Sequence, residues 1–530
     1  MPTSDDTSQT SGDSAGAAAR TAARVESWLA DFDAAGACAA HLLCDRHDPS
    51  AVAFTFVEPD LSARDLTYGE LAEASKRLAA ALAARGVAAG DNVAVLMGKR
   101  SELVVTLLAI WRLGAVHMPL FTAFAAPAIE MRVRAAGVRL IVTEPSQHGK
   151  IEGLLRDGVT ALVTGPDLDA LVTGCAPLAE AAAVGGSGTL IRLFTSGTTG
   201  EPKGVPVPLK ALAAFSCYMH YGLDVTAEDV FWNAADPGWA YGLYYGIVGP
   251  LALGRRNLLL NAGFTAAGTI AVLKEFGVTN FAAAPTVYRA LRQESTDGVR
   301  LRRASSAGEP LTPDVLAWAA GALGVEVRDH YGQTEHGMVI ANAWHPDLAA
   351  PVKPGSMGRP LPGFTAGVVD GTIALDATAS PLMWFTGYDG APERTAERFT
   401  PDGRWYLTGD VGTADEDGHY FFSSRDDDLI LMAGYRISPL DVESALITHP
   451  AVADVAVVGR PDELRGEVVE AFVVLTGDAA GSPDLVADLQ QRVRTGYSAH
   501  AYPRRVHFVD SLPKTPSGKV QRFLLRRLDG

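Results

Sequence analysis

Val93-Ala94-Val95-Leu96-Met97 is an unbroken apolar run of strand length, and residues 102–113 behind it carry the denser apolar pattern of a buried helix. Gly114-Ala115-Val116 then leads into a turn, and Leu140-Ile141-Val142 repeats the strand signal. Upstream, Thr67-Tyr68-Gly69-Glu70-Leu71 opens an amphipathic stretch with Leu71, Leu78 and Leu82 at helical spacing and Gly86 at its end. Strands alternating with helices in this way predict parallel sheets covered by helices, an α/β fold.

The chain has 530 residues, room for three structural units at about 150 residues each. With 48% hydrophobic and 20% charged residues it has the balance of a globular protein, which excludes whole-chain disorder. A net charge of −16 argues against nucleic acid or anionic lipid as a main partner, yet leaves room for a local basic pocket. Cys38, Cys44, Cys175 and Cys217 form no CxxC pair and no zinc spacing, so a reducing cytoplasm is the expected location. Residues 1–24 are rich in Ser, Thr, Asp and Ala, without a basic start or an apolar core, and are expected to be a disordered lead-in. The most apolar run, residues 103–111, is too short to span a bilayer, so no stable membrane insertion is expected. A break near residues 423–428 divides an N-terminal unit, residues 25–424, from a C-terminal unit, residues 429–530, with residues 425–428 as the hinge. In the smaller unit residues 439–446 read as a helix, and residues 451–458 and 468–475 as strands.

The chemistry is concentrated where the strand Arg192-Leu193-Phe194 runs into Thr195-Ser196-Gly197-Thr198-Thr199-Gly200-Glu201-Pro202-Lys203-Gly204. Small residues in succession let backbone N–H groups approach an anion, hydroxyls add donors, and Lys203 adds a positive charge. A phosphate chain is the natural occupant. The NTPase P-loop is a poor match, because Pro202 stands where that pattern needs glycine and Gly204 where it needs Ser or Thr.

This loop resembles the signature of the adenylate-forming superfamily, and further motifs follow in that family's order. Gly308-Glu309-Pro310-Leu311 matches the segment along the adenine. Asp329-His330 precede Tyr331-Gly332-Gln333-Thr334-Glu335, which matches the aromatic–Thr–Glu motif. Tyr406-Leu407-Thr408-Gly409-Asp410 matches the ribose motif. Arg425-Asp426-Asp427 and Ala433-Gly434-Tyr435-Arg436 match the hinge and the loop after it, and Pro513-Lys514-Thr515-Pro516-Ser517-Gly518-Lys519 matches the terminal lysine motif. The resemblance covers residues 67–527 and lies with the acyl-CoA synthetases, most of all the medium-chain ones. It implies a large N-terminal domain of helix-covered sheets with a small β-rich subdomain, and a small mobile α/β C-terminal domain.

The resemblance also implies roles. Thr195 to Gly200, Lys203, Gly308 to Pro310, Asp329 to Thr334, Asp410, Arg425 and Lys519 would bind ATP and AMP. Thr334, Glu335 and Lys519 would be catalytic, and Glu335 would hold Mg²⁺ with the oxygen chemistry that ion prefers. Asp410 suits two ribose hydroxyls, and Lys519 would stand between carboxylate and α-phosphate as negative charge builds. Rotation about Asp427 would then present Ala433, Gly434 and Tyr435 to the pantetheine of CoA, with Arg465, Arg494 and Tyr502 as further CoA contacts. The acyl pocket would involve Trp239, Gly332 and Arg436. Acetyl-CoA synthetases carry Trp at the position of Gly332, so the missing indole predicts an acid larger than acetate, and Gly332→Trp would shrink the pocket. Small-molecule acid, ATP and CoA are thus the expected partners. Two rival readings are an adenylating enzyme that loads a carrier protein and an inactive nucleotide-binding protein.

Overall fold

The computed structural model describes residues 6–195, 203–425, 428–432, 435–462, 465–477, 479–515 and 519–528. The opening pattern becomes a six-stranded sheet built from β1 (Asn92–Leu96), β2 (Val116–Pro119), β3 (Leu140–Thr143), β4 (Thr160–Val163), β5 (Thr189–Thr195) and β6 (Lys203–Pro208). Its order is β4-β3-β1-β2-β5-β6, parallel except for the β5–β6 hairpin. Thr195 pairs with Lys203, so the two residues that bound the phosphate-type segment are held side by side. The helix Tyr68–Ala83 starts on a capping box: Thr67 accepts from the Glu70 N–H and the Glu70 carboxylate accepts from the Thr67 N–H. The helix Ser101–Arg112 is buried on nearly every side, as its continuous apolar sequence requires.

A second sheet has thirteen strands among the described residues. Its centre is parallel through β7 (Arg303–Ala307) and β8 (Val327–Gln333), and turns antiparallel at β9 (Gly337–Ala341). It continues antiparallel into β10 (Trp405–Ala414) and β11 (Tyr420–Arg425). The adenine-type segment leaves the carboxyl end of β7 and Thr334-Glu335 leave that of β8, beside the change of strand direction, where open α/β sheets place their ligands.

The C-terminal unit has its own sheet: β12 (Ile430–Met432), β13 (Tyr435–Ile437), β14 (Val452–Asp462), β15 (Gly466–Leu475) and β16 (Arg505–Phe508). A separate core including Ile430, Val457, Val473, Leu489 and Val493 holds it together. Asp428, the last residue of the expected hinge, accepts from Arg526 at 2.7 Å and is tied to the last helix.

The lead-in differs from expectation. A helix runs Asp6–Phe32, across the boundary expected at 24. Ala17-Ala18-Ala19-Arg20-Thr21-Ala22-Ala23 is strong helix-forming sequence, and it is anchored because Val25, Trp28 and Phe32 are buried and Arg20 pairs with Asp347 at 2.6 Å.

Candidate active site

Asp410 and Arg425 are cross-strand partners on β10 and β11, which places both side chains on one face. Asp410 is 4% exposed and accepts three hydrogen bonds: Tyr331 Oη at 2.5 Å and Gln333 Nε2 at 2.6 Å on Oδ2, and Arg425 Nη1 at 2.8 Å on Oδ1. The preceding Gly409 has φ +72°, and a Cβ there would stand 2.9 Å from Arg398 Nη1. Residues from three separate motifs therefore meet at the Asp410 carboxylate.

Beside them is a second group. Glu335 is buried and accepts from Tyr388 Oη at 2.8 Å on Oε1, while among the described residues nothing donates to Oε2. A buried carboxylate with one oxygen left open matches what Mg²⁺ needs when it also holds phosphate oxygens. Tyr244 Oη donates to the Thr334 carbonyl at 3.0 Å and so fixes the motif's backbone. Lys203 Nζ lies 4.8 Å from the Tyr388 ring centroid. Its amine pKa is lowered by burial and by the neighbouring Arg398 and Arg394, against Glu397 and Glu335. Cations crowded at mutual cost form a site for a polyanion. An open cavity of about 770 Å³ adjoins Lys203, lined also by Arg192, Asp389 and Arg394.

The adenine-type segment is close-packed. Gly308 has φ +95°, and a Cβ there would stand 2.6 Å from the Trp239 ring edge. That contact brings Trp239, read as acyl-pocket wall, against the nucleotide segment. Glu309, which precedes Pro310, accepts from Thr286 Oγ1 at 2.8 Å and pairs with Arg289 at 3.1 Å. Burial pushes the Asp329 carboxyl up to about 8 despite N–H donors from Leu311 and His330. Burial also holds His330 neutral, its pKa pushed down to about 3, between Tyr218 Oη at 2.8 Å and the Asn342 carbonyl at 3.3 Å.

Gly332 departs from expectation. The β8–β9 register slips between Tyr331 and Gly332, and a Cβ on Gly332 would stand 2.1 Å from the Gly337 carbonyl oxygen. With this backbone a side chain at 332 runs into β9 and cannot wall an acyl pocket.

In the C-terminal unit, Lys519 keeps solvent contact yet stands in a crowded cleft. Burial lowers its amine pKa, opposed by the negative fields of Glu309, Asp410 and Glu335, with Arg425 acting alongside the burial. The terminal lysine therefore shares one electrostatic environment with the three acids of the N-terminal unit. Tyr435 is 51% exposed and stacks on His500 at 4.7 Å. Arg494 and Arg504 each lie over the Tyr502 ring, at 3.8 and 3.7 Å. Arg465 is near enough to lower the Arg504 pKa together with Arg494 and burial. Ser196, Gly197, Thr198, Thr199, Gly200, Asp427, Ala433, Gly434 and the Arg436 side chain lie outside the described residues. Tyr388, Arg398, Tyr244 and Arg504 escaped sequence reading; they carry no motif spacing, and only tertiary contacts bring them to the site.

Comparison with known proteins identifies the family. The model of the AMP-binding enzyme family matches residues 44–374, and that of the AMP-binding enzyme C-terminal domain matches residues 441–519. The acetyl-coenzyme A synthetase of Bacillus subtilis is 32% identical over 87% of this chain and 84% of its own length. The mitochondrial acyl-coenzyme A synthetase ACSM3 of Mus musculus is 33% identical over 83% of this chain and 80% of its own. Among solved structures, a Brucella canis acyl-CoA synthetase is 42% identical, with 96% of each chain covered and a TM-score of 0.74. MatB from Rhodopseudomonas palustris is 28% identical, with 93% of this chain and 98% of its own covered, and the TM-score is 0.82 for its ATP-bound structure and 0.73 for its apo structure. Among the described residues no helix is long and apolar enough to cross a membrane.

Proposed function

The chain belongs to the AMP-binding enzyme family and is an AMP-forming acyl-CoA synthetase, and from that premise we propose how its own residues divide the reaction and which acids it takes. A carboxylate oxygen attacks the α-phosphorus of ATP and pyrophosphate leaves; the CoA thiolate then attacks the acyl carbon and AMP leaves. Asp410 and Arg425 hold the ribose, Gly308 to Pro310 and Asp329 to Gln333 the adenine side, and Thr195 to Gly200 with Lys203 the phosphates. Glu335 would hold Mg²⁺, and the ion would supply positive charge against the phosphates. Lys519 neutralises charge building at the α-phosphate.

The observation that carries this reading is the geometry that gathers Tyr331, Gln333 and Arg425 on Asp410 and sets Glu335 and Lys203 on Tyr388; the fields of Glu309, Asp410 and Glu335 at Lys519 support it. The exposed position of Tyr435 and the higher TM-score to the ATP-bound MatB form support an adenylate-forming posture. Rotation about Asp427 would then bring Ala433, Gly434 and Tyr435 to pantetheine. The cluster Arg465, Arg494, Arg504 and Tyr502 favours CoA over a carrier protein, since guanidinium groups crowded together suit a nucleotide's phosphates. The four cysteines are free, in keeping with a cytoplasmic location.

The acid is a butyrate-to-octanoate or benzoate-like one, preferred over acetate, a reading supported by the likeness to the ACSM3 acyl-coenzyme A synthetase rather than by Gly332, and each CH₂ buried gains about 0.8 kcal/mol. AMP release across a carboxylate panel with ATP and CoA tests this; a kcat/KM highest for acetate would refute it. Gly332→Trp is now expected to act on the fold. Overpacking against the Gly337 carbonyl costs about 1–3 kcal/mol or more, so melting temperature and activity on every acid should drop together. A variant with native melting temperature and a profile shifted to acetate would show that the indole finds another path.

A further inference from the structure

The segment Gly387-Tyr388-Asp389 lies between the two large sheets and touches both. The Asp389 N–H donates to the Gly204 carbonyl at 2.9 Å, and Arg192 Nε donates to Asp389 Oδ2 at 2.5 Å. Both partners belong to the β5–β6 hairpin that ends in Lys203. One residue earlier, Tyr388 is 5% exposed; it presents its ring to Lys203 and its hydroxyl to Glu335 Oε1 at 2.8 Å. Thr395 Oγ1 accepts from the Tyr388 N–H at 2.9 Å and pins the backbone.

Lys203 and Glu335 come from different sheets, and one phenol contacts both. The ring face attracts the ammonium through its quadrupole, and the hydroxyl makes a charge-assisted bond to the carboxylate. The bond also occupies Oε1, while among the described residues nothing donates to Oε2.

We propose that Tyr388 is a positioning residue for adenylation, holding the Glu335 carboxylate and the Lys203 ammonium at a set separation so that a divalent cation and the terminal phosphates of ATP are gripped together. This rests on the reading of Glu335 as the carboxylate that holds the cation.

The test uses the full chain and inorganic pyrophosphate, titrated by calorimetry with and without Mg²⁺, in wild type, Tyr388→Phe, Tyr388→Leu and Glu335→Gln. Phenylalanine keeps the ring over Lys203 and removes the bond to Glu335. Tyr388→Phe is therefore expected to weaken Mg²⁺-pyrophosphate binding roughly tenfold, the scale of one charge-assisted hydrogen bond. Metal-free pyrophosphate should bind as in wild type, and acyl transfer from supplied acyl-adenylate to CoA should keep its rate. Tyr388→Leu removes the ring as well and should weaken both forms of pyrophosphate. Wild-type Mg²⁺-pyrophosphate affinity in Tyr388→Phe would overturn the proposal. So would equal losses in metal-free binding, acyl transfer and melting temperature, since those mark a packing role. Glu335→Gln separates the two layers. If it keeps the full Mg²⁺-dependent gain, the reading of Glu335 fails and the proposal with it. If it loses that gain while Tyr388→Phe does not, the proposal fails alone.

Discussion

Lys519→Ala is expected to lower adenylate formation by about a hundred- to a thousandfold, the loss typical when a group aimed at developing charge is removed. Acyl transfer from supplied acyl-adenylate to CoA should stay near the wild-type rate. The asymmetry follows from where the lysine stands. Its electrostatic neighbours are Glu309, Asp410, Glu335 and Arg425, residues of the nucleotide and phosphate side. Charge builds at the α-phosphate in the first half-reaction; in the second the thiolate attacks the acyl carbon, and the lysine belongs elsewhere. ATP–pyrophosphate exchange and thioester formation, measured separately, decide it, and equal loss in both would sink the assignment. A pH signature accompanies the mutation. Burial lowers the Lys519 pKa, so its charge is present below that lowered value and lost as pH rises through it. Adenylation should fall on the alkaline side earlier than an ordinary lysine would dictate, and acyl transfer should lack that limb.

Parts of this molecule were legible from local pattern because local pattern is what formed them. The run at Val93 is a parallel strand because apolar side chains on both faces bury well only in a sheet covered by helices. The loop from Thr195 to Lys203 read as a phosphate cradle, and its two ends pair as a hairpin. Asp410 and Arg425 were legible as separate motifs, while their pairing depends on strands β10 and β11 lying side by side. Tyr388 and Arg398 were not legible. Both flank the short helix Pro392–Ala396 in a stretch with no strand or helix period of its own, and their places come from docking against two sheets. Gly332 shows a different failure. The missing side chain was read correctly, but its direction depended on a register slip in an antiparallel pair, and such a slip turns a residue to the other face. The lead-in failed for a third reason: small-residue composition suggested disorder, while alanine also favours helix once Trp28 and Phe32 supply an anchor.

Asp410→Asn carries the second large expected effect, and it separates a binding carboxylate from a turn residue. Each oxygen of Asp410 already accepts, Oδ2 from Tyr331 and Gln333 and Oδ1 from Arg425. An amide of the same shape must turn its NH₂ toward one of these donors, whichever way it lies, and two donors then face each other. Leaving a buried donor unsatisfied costs about 1–3 kcal/mol, so denaturant unfolding should report a loss of that size. The Arg425 side chain is 37% exposed, which keeps its share at the lower end. ATP binding should suffer more, by roughly tenfold to a hundredfold, because charge-assisted bonds to two ribose hydroxyls go with the charge. Tyr331→Phe serves as the control. It keeps the ring, removes one donor and leaves a carboxylate paired with Gln333 and Arg425, so a stability change of about 1 kcal/mol with a smaller loss of nucleotide affinity than in Asp410→Asn is expected. If Asp410→Asn retained wild-type stability and wild-type affinity for ATP, Asp410 would be a turn residue after Gly409 and the ribose assignment would fall. If stability dropped and affinity held, the carboxylate would serve to join β8, β10 and β11, and the ribose would have to be held by other groups.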